Sequence, residues 1–85
     1  MMNYTSARNS VPIFRILDIV YKIALEIACE YEYSYFGRSL VLRVSESRVR
    51  DFYNELCNNN EFIYNDINVH LGLGRIYLSI PWWSV

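Results

Sequence analysis

The fold of this chain is decided by residues 30–45, EYEYSYFGRSLVLRVS. Tyrosines alternate with polar residues in its first half, which is the period of a β-strand, at Tyr31, Tyr33 and Tyr35. Gly37 and Arg38 then suit a two-residue hairpin turn with glycine at its first central position. The resulting register places the tyrosines on one face with Leu40, Leu42 and Val44. It also sets Glu32 opposite Arg43, a favourable cross-strand pair. We therefore predict a β-hairpin whose tyrosines pack in the core.

Helical patterns lie on both sides of this hairpin. In the segment 11–29 the charged side chains fall in one stripe, and about two-thirds of the circumference is apolar. That apolar surface is wider than one sheet needs, so we expect the helix to be central or to contact a second molecule, including a second copy. After Ser45, apolar residues recur at helical spacing at Val49, Phe52, Tyr53, Leu56 and Cys57.

The C-terminal third of the chain returns to strand spacing. Asn58–Asn60 predicts a helix end, because asparagine tolerates the left-handed conformation of a C-cap. Alternating apolar residues then run through 63–71 and 76–80, on either side of a Gly72-Leu73-Gly74 turn. The predicted fold class is α+β, in the order αββαββ, with a four-stranded, mainly antiparallel sheet and two helices packed on one face. Residues 1–9 are expected to form a flexible tail and residues 10–85 a single domain.

Composition restricts the possible partners and compartments. The net charge of −1 argues against capture of nucleic acid or anionic membrane by a field of positive charge. Cys29 and Cys57 have no metal-site spacing, and we expect buried free thiols in a reducing compartment, with a disulfide between the helix ends as the alternative. No leader or membrane-spanning segment is evident, so the predicted location is cytoplasmic. No cofactor or metal site is expected.

Arginine and tryptophan are the residues that most suggest a binding surface. Seven of the eight basic residues are arginine, which interfaces favour over lysine. Adjacent tryptophans stand near the C-terminus, and tryptophan is strongly enriched among interface hot spots. The predicted partner-binding residues are Trp82, Trp83, Arg48, Arg50 and Arg75.

An RNA-binding surface is the main alternative. In the predicted register, arginines and aromatic residues share the sheet face that points away from the helices, which is how single-stranded RNA is stacked and held on open sheets. The residues concerned are Arg43, Tyr64, His70, Arg75 and Tyr77. No RNP-type motif is present, and the net charge does not favour this reading.

Catalysis is the weakest of the three hypotheses. His70 is the only histidine and hence the only ready general base near neutral pH. No nucleophile stands at a motif spacing beside it, so no catalytic residue is assigned, although a small single-histidine ribonuclease is conceivable.

The preferred sequence-based hypothesis is a non-enzymatic binding protein that docks onto a larger macromolecule, with a protein partner and a homodimer as possibilities. Small single-domain proteins without catalytic motifs often serve as inhibitors or antitoxin-like regulators, including those of phages and mobile elements. That last expectation rests on size alone.

Overall fold

The computed structural model describes residues 11–81. The predicted tail at residues 1–9 and the predicted binding residues Trp82 and Trp83 lie outside this range. Within it the elements follow one another as α1 (Ile13–Glu26), β1 (Tyr31–Phe36), β2 (Ser39–Val44), α2 (Val49–Cys57), α3 (Asn60–Tyr64), β3 (Asn68–Gly72) and β4 (Arg75–Ser79).

The four strands form one antiparallel sheet in the order β1-β2-β4-β3. The register of the first hairpin is the predicted one, with Tyr33 opposite Leu42 and Glu32 opposite Arg43. Gly37 has φ 60°, which is the conformation that the first central position of such a turn requires. The α+β class and the antiparallel sheet are thus confirmed.

The segment after α2 departs from the prediction. Residues predicted to begin a strand near Ile63 instead form the short helix α3. Asn59 explains the change, because its Oδ1 accepts a hydrogen bond from the backbone N–H of Phe62 at 3.0 Å and so caps a new helix. Tyr64 therefore lies on a helix, and its predicted place on the open sheet face is wrong.

One face of the sheet carries the core. Four aliphatic residues at its centre, from the two middle strands, are completely buried: Leu40, Leu42, Ile76 and Leu78. Both longer helices pack on this face, and α1 contributes Ile16, Val20 and Ile23 while α2 contributes Phe52 and Leu56. The apolar spacing after Ser45 correctly identified Phe52 and Leu56, whereas the pattern in residues 11–29 was apolar over more of the helix than the core covers. The opposite face of the sheet, here called the outer face, carries none of the described helices.

Side chains also tie the helices together. Arg15 of α1 donates two hydrogen bonds, each 2.7 Å long, to the carboxylate of Glu61 in α3. Arg48, just before α2, donates to the backbone carbonyls of Ile27 at 2.6 Å and Ala28 at 3.4 Å. A cation at these carbonyls satisfies acceptors that the end of α1 leaves without intrahelical partners. Arg48 therefore has a structural role within the chain.

Candidate binding surface

The first part of the candidate surface is the tyrosine pair of β1. Tyr33 and Tyr35 lie on the helix face of the sheet, as the register predicts, but at the edge strand, where the helices do not cover them. Their side chains are 47% and 54% exposed, and their rings meet edge to face with centroids 5.9 Å apart. The expectation that all three tyrosines pack in the core is therefore wrong for these two. We call Tyr33 and Tyr35 the tyrosine edge.

Tyr31, the third tyrosine of the strand, forms the boundary between this edge and the core. It is half-buried, and its ring meets that of Phe52 edge to face at 5.8 Å. Burial raises the pKa of its hydroxyl, and nearby Tyr33 and Tyr21 raise it further. Along this face of β1, the tyrosines therefore pass from the core at Tyr31 to the exposed edge at Tyr33 and Tyr35.

The second part of the surface is an apolar stripe on α1. At 100° per residue, Phe14, Tyr21 and Leu25 fall within about 40° of one another on the helix. They are 72%, 52% and 62% exposed, although the buried side of α1 faces the sheet. This is the surplus apolar surface that the width of the pattern in residues 11–29 predicts. We call these three residues the α1 stripe.

An open groove lies between the end of α1 and the start of β1. Its volume is about 980 Å³, and its walls come from α1, β1, the end of β2 and the approach to α2. The lining includes Tyr21, Leu25, Tyr31, Glu32, Arg43 and Arg48. Carboxylates and guanidinium groups border an apolar floor, so the groove offers both apolar contact and directional hydrogen bonds. Such a combination suits a peptide or protein surface.

The predicted partner-binding arginines are not brought together. Arg48 borders the groove, where it bonds to the carbonyls at the end of α1 and lies 3.6 Å from the carboxylate of Asp51. Arg50 is exposed on α2, and Arg75 is exposed at the start of β4 on the outer face. Their role in binding a partner stays a prediction.

The outer face brings together four of the five residues predicted for RNA binding. Arg43 and Arg75 are directly opposite each other on β2 and β4, and His70 is opposite Tyr77 on β3 and β4. Arg43 also lies 3.4 Å from Glu32 on the neighbouring strand. Two like charges in register destabilise a sheet unless something neutralises them. Among residues 11–81, Glu32 neutralises Arg43, and no ion pair is found for Arg75.

His70 is the residue on which the catalytic hypothesis depends. His70 is exposed on β3 next to Tyr77, and no hydrogen bond or ion pair is found for its side chain within that range. The same range contains no cluster of three or more histidine, cysteine or acidic residues that could hold a metal ion.

The two cysteines are both free thiols in the structure. Cys29 is buried beneath the groove, and Cys57 is partly buried near the end of α2. Cys57 is hydrogen-bonded to Tyr53 one helical turn earlier, and this bond raises the pKa of the Tyr53 hydroxyl. The disulfide considered as an alternative is therefore absent.

Comparison with known proteins gives no further guide. No protein-family model, curated protein or solved structure matches this chain. Across residues 11–81, every helix is too short or too polar to cross a membrane.

Proposed function

We propose that this chain is a non-catalytic binding protein that docks onto a protein partner through the tyrosine edge and the adjoining groove. The observation that carries the proposal is the exposure of Tyr33 and Tyr35 on a sheet face where their cross-strand partners on β2, Leu42 and Leu40, are completely buried. A protein whose only use for tyrosine was packing would place these rings beneath the helices.

Tyrosine suits such a surface for physical reasons. Each ring contributes a large contact area with two side-chain torsions, so little conformational entropy is lost on binding. Its hydroxyl keeps a hydrogen-bonding group at the rim, while Tyr31, on the same face of β1, packs against Phe52 in the core. The adjoining arginines and glutamates can then set the orientation of the partner.

The test compares two matched pairs of substitutions. The double variant Tyr33→Ser, Tyr35→Ser removes the edge, and Ile63→Ser, Tyr64→Ser removes two side chains of similar exposure on α3. Each protein is immobilised and used to capture partners from the native host, with and without nuclease treatment. We expect a protein captured by the wild type to be retained by the α3 variant and lost from the edge variant, with nuclease making no difference. Equal capture by the two variants contradicts the proposal.

The biological role that we propose rests mainly on the small size of the chain. We infer an inhibitor or antitoxin-like regulator that acts in the cytoplasm, of the kind that phages and mobile elements carry. Two free cysteines support a reducing compartment. Small size and an exposed aromatic surface support action by occupying a partner's surface.

RNA binding by the outer face is a second candidate function, favoured by the facing arginines Arg43 and Arg75. A phosphate between them would relieve their repulsion, and Tyr77 in the next row could stack a base. Fluorescence anisotropy with a pool of single-stranded RNA tests this candidate. Binding must weaken steeply as salt rises and must fall in Arg75→Gln. No binding at low salt removes it.

A further inference from the structure

The α1 stripe extends beyond the surface proposed for docking of a partner, because Tyr21 and Leu25 line the groove and Phe14 does not. Phe14 stands about two helical turns before Tyr21, the nearest groove residue on α1, and it is the most exposed of the three. An exposed line of large apolar side chains along one helix is typical of a helix that packs against another helix.

The charged residues beside the stripe indicate which kind of surface can pack against it. Asp18 and Lys22 lie next to it on the helix surface, 3.1 Å apart within one chain. Asp18 and Lys22 are centred on residue 20, and the ends of the stripe, Phe14 and Leu25, are centred between residues 19 and 20, so the two pairs share nearly the same centre on the helix. An antiparallel copy of the helix would set Asp18 against Lys22 and Phe14 against Leu25.

We propose that α1 forms a two-fold symmetric, antiparallel contact with α1 of a second copy of this chain. Each copy would lay Phe14 beside Leu25 of the other, with Tyr21 near the axis. Asp18 and Lys22 of both copies would form an alternating ring of four charges. A parallel two-fold contact would instead place these charges on opposite sides of the seam, where they would not face each other, so the charge order favours the antiparallel arrangement.

The area of the α1 stripe is small for a stable dimer interface. Two aromatic rings and a leucine, all partly exposed, supply roughly half of the about 800 Å² per partner of an ordinary stable interface. The flanking charges and the half-buried Leu17 add to this area. We therefore expect a weak dimer that dissociates on dilution, with Tyr33 and Tyr35 outside the contact.

Charge reversal tests the arrangement without relying on any single variant. In a dimer of either variant, Asp18→Lys or Lys22→Asp, positions 18 and 22 of the two copies would carry like charges and repel each other. Each protein alone should therefore be a monomer. Mixing the two restores complementary charges, so the mixture should dimerise as a heterodimer. Sedimentation equilibrium of the full chain at high micromolar concentration gives both results, and circular dichroism confirms that each variant is folded.

Two further variants guard against misfolding as an explanation. Leu25→Ser removes an exposed side chain of the stripe and should weaken the dimer at least about tenfold, a typical loss for an interface anchor. Leu73→Ser removes an equally apolar and more exposed side chain at the β3–β4 turn and should leave the dimer unchanged. A monomeric wild type overturns the proposal. Dimers that survive both charge reversals, or that are lost equally in Leu73→Ser, overturn it as well. Tyr21 and Leu25 belong to both the stripe and the groove, but capture of a partner is read at Tyr33 and Tyr35, which lie outside the dimer contact, so failure of either proposal is seen separately.

Discussion

The turn between β3 and β4 holds a leucine, Leu73, in a backbone conformation that other residues adopt more readily. Leu73 and Gly74 form the two-residue turn between β3 and β4, with φ of 54° and 73°. Both values are left-handed, as one family of hairpin turns requires, and Asn-Gly is the sequence that this turn favours. A leucine there carries strain, and it is also 93% exposed.

We expect Leu73→Asn to stabilise the protein by about 1 kcal/mol, because asparagine tolerates a positive φ and the leucine side chain makes little packing contact. Urea unfolding monitored by circular dichroism measures the change. Gly74→Ala is the matched control and should destabilise by a similar amount, since alanine cannot adopt a positive φ without strain. A destabilised Leu73→Asn would mean that Leu73 makes contacts within the fold after all.

The position of Tyr33 changes what its truncation should do. A fully buried aromatic residue costs about 3–5 kcal/mol when cut to alanine. Tyr33 is half exposed, so we expect Tyr33→Ala to cost about 1–2 kcal/mol, whereas Leu42→Ala on the adjacent strand should cost about 2–5 kcal/mol. Denaturant unfolding of the two variants decides this point. Equal losses would show that the tyrosine edge is part of the core.

At the scale of the elements, local sequence predicted most of what the structure contains. Alternation and turn chemistry fixed the first hairpin residue by residue, because its two strands are joined by a tight turn. The apolar spacing of α2 gave its buried side, whereas the wider apolar pattern of α1 did not separate buried from exposed residues. The helix α3 was missed because Asn59 can end one helix or begin another, and apolar residues at 63 and 67 fit either structure.

The exposed surfaces could be only partly predicted. The wide apolar pattern on α1 predicted more apolar surface than the sheet could cover, and Phe14, Tyr21 and Leu25 form that exposed surface. The exposure of Tyr33 and Tyr35 depends instead on which strand lies at the sheet's edge, and that follows from long-range pairing of β2 with β4. Local patterns carry no signal for such a pairing.

The ion pair between Arg15 of α1 and Glu61 of α3 makes the stability of the fold depend on pH. Arg15 lowers the pKa of Glu61 below its usual 4.5, mainly by hydrogen bonding to the carboxylate. Because the folded pKa lies below the unfolded one, this contribution to stability is complete above about pH 4.5 and is lost as pH falls through the folded pKa. Both groups are partly exposed, so the effect should be modest and weaker in high salt.

We expect Glu61→Gln to flatten the decline in unfolding free energy between about pH 5 and pH 3. Arg15→Gln should produce the same flattening, since it removes the same bond. Urea unfolding at a series of pH values measures both. A wild-type slope in either variant would show that the ion pair does not form in solution.

At the scale of the whole molecule, the binding and catalytic hypotheses predict different effects of changing His70 and of removing residues 82–85. Removing residues 82–85 takes away Trp82 and Trp83, which lie outside the described residues and are predicted to bind the partner. We expect this truncation to weaken partner binding by at least about 2 kcal/mol, a hot-spot loss, while His70→Ala leaves binding unchanged. Calorimetric titration of the captured partner measures both. Loss of function in a folded His70→Ala protein would favour the small ribonuclease instead.

The central claim is that the tyrosine edge, and not the outer face of the sheet, meets the partner. Hydrogen exchange followed by mass spectrometry, with and without the captured partner, tests it most directly. We expect exchange to slow in residues 31–36 and to stay unchanged in residues 68–72. Protection of residues 68–72 with none in residues 31–36 would contradict the claim.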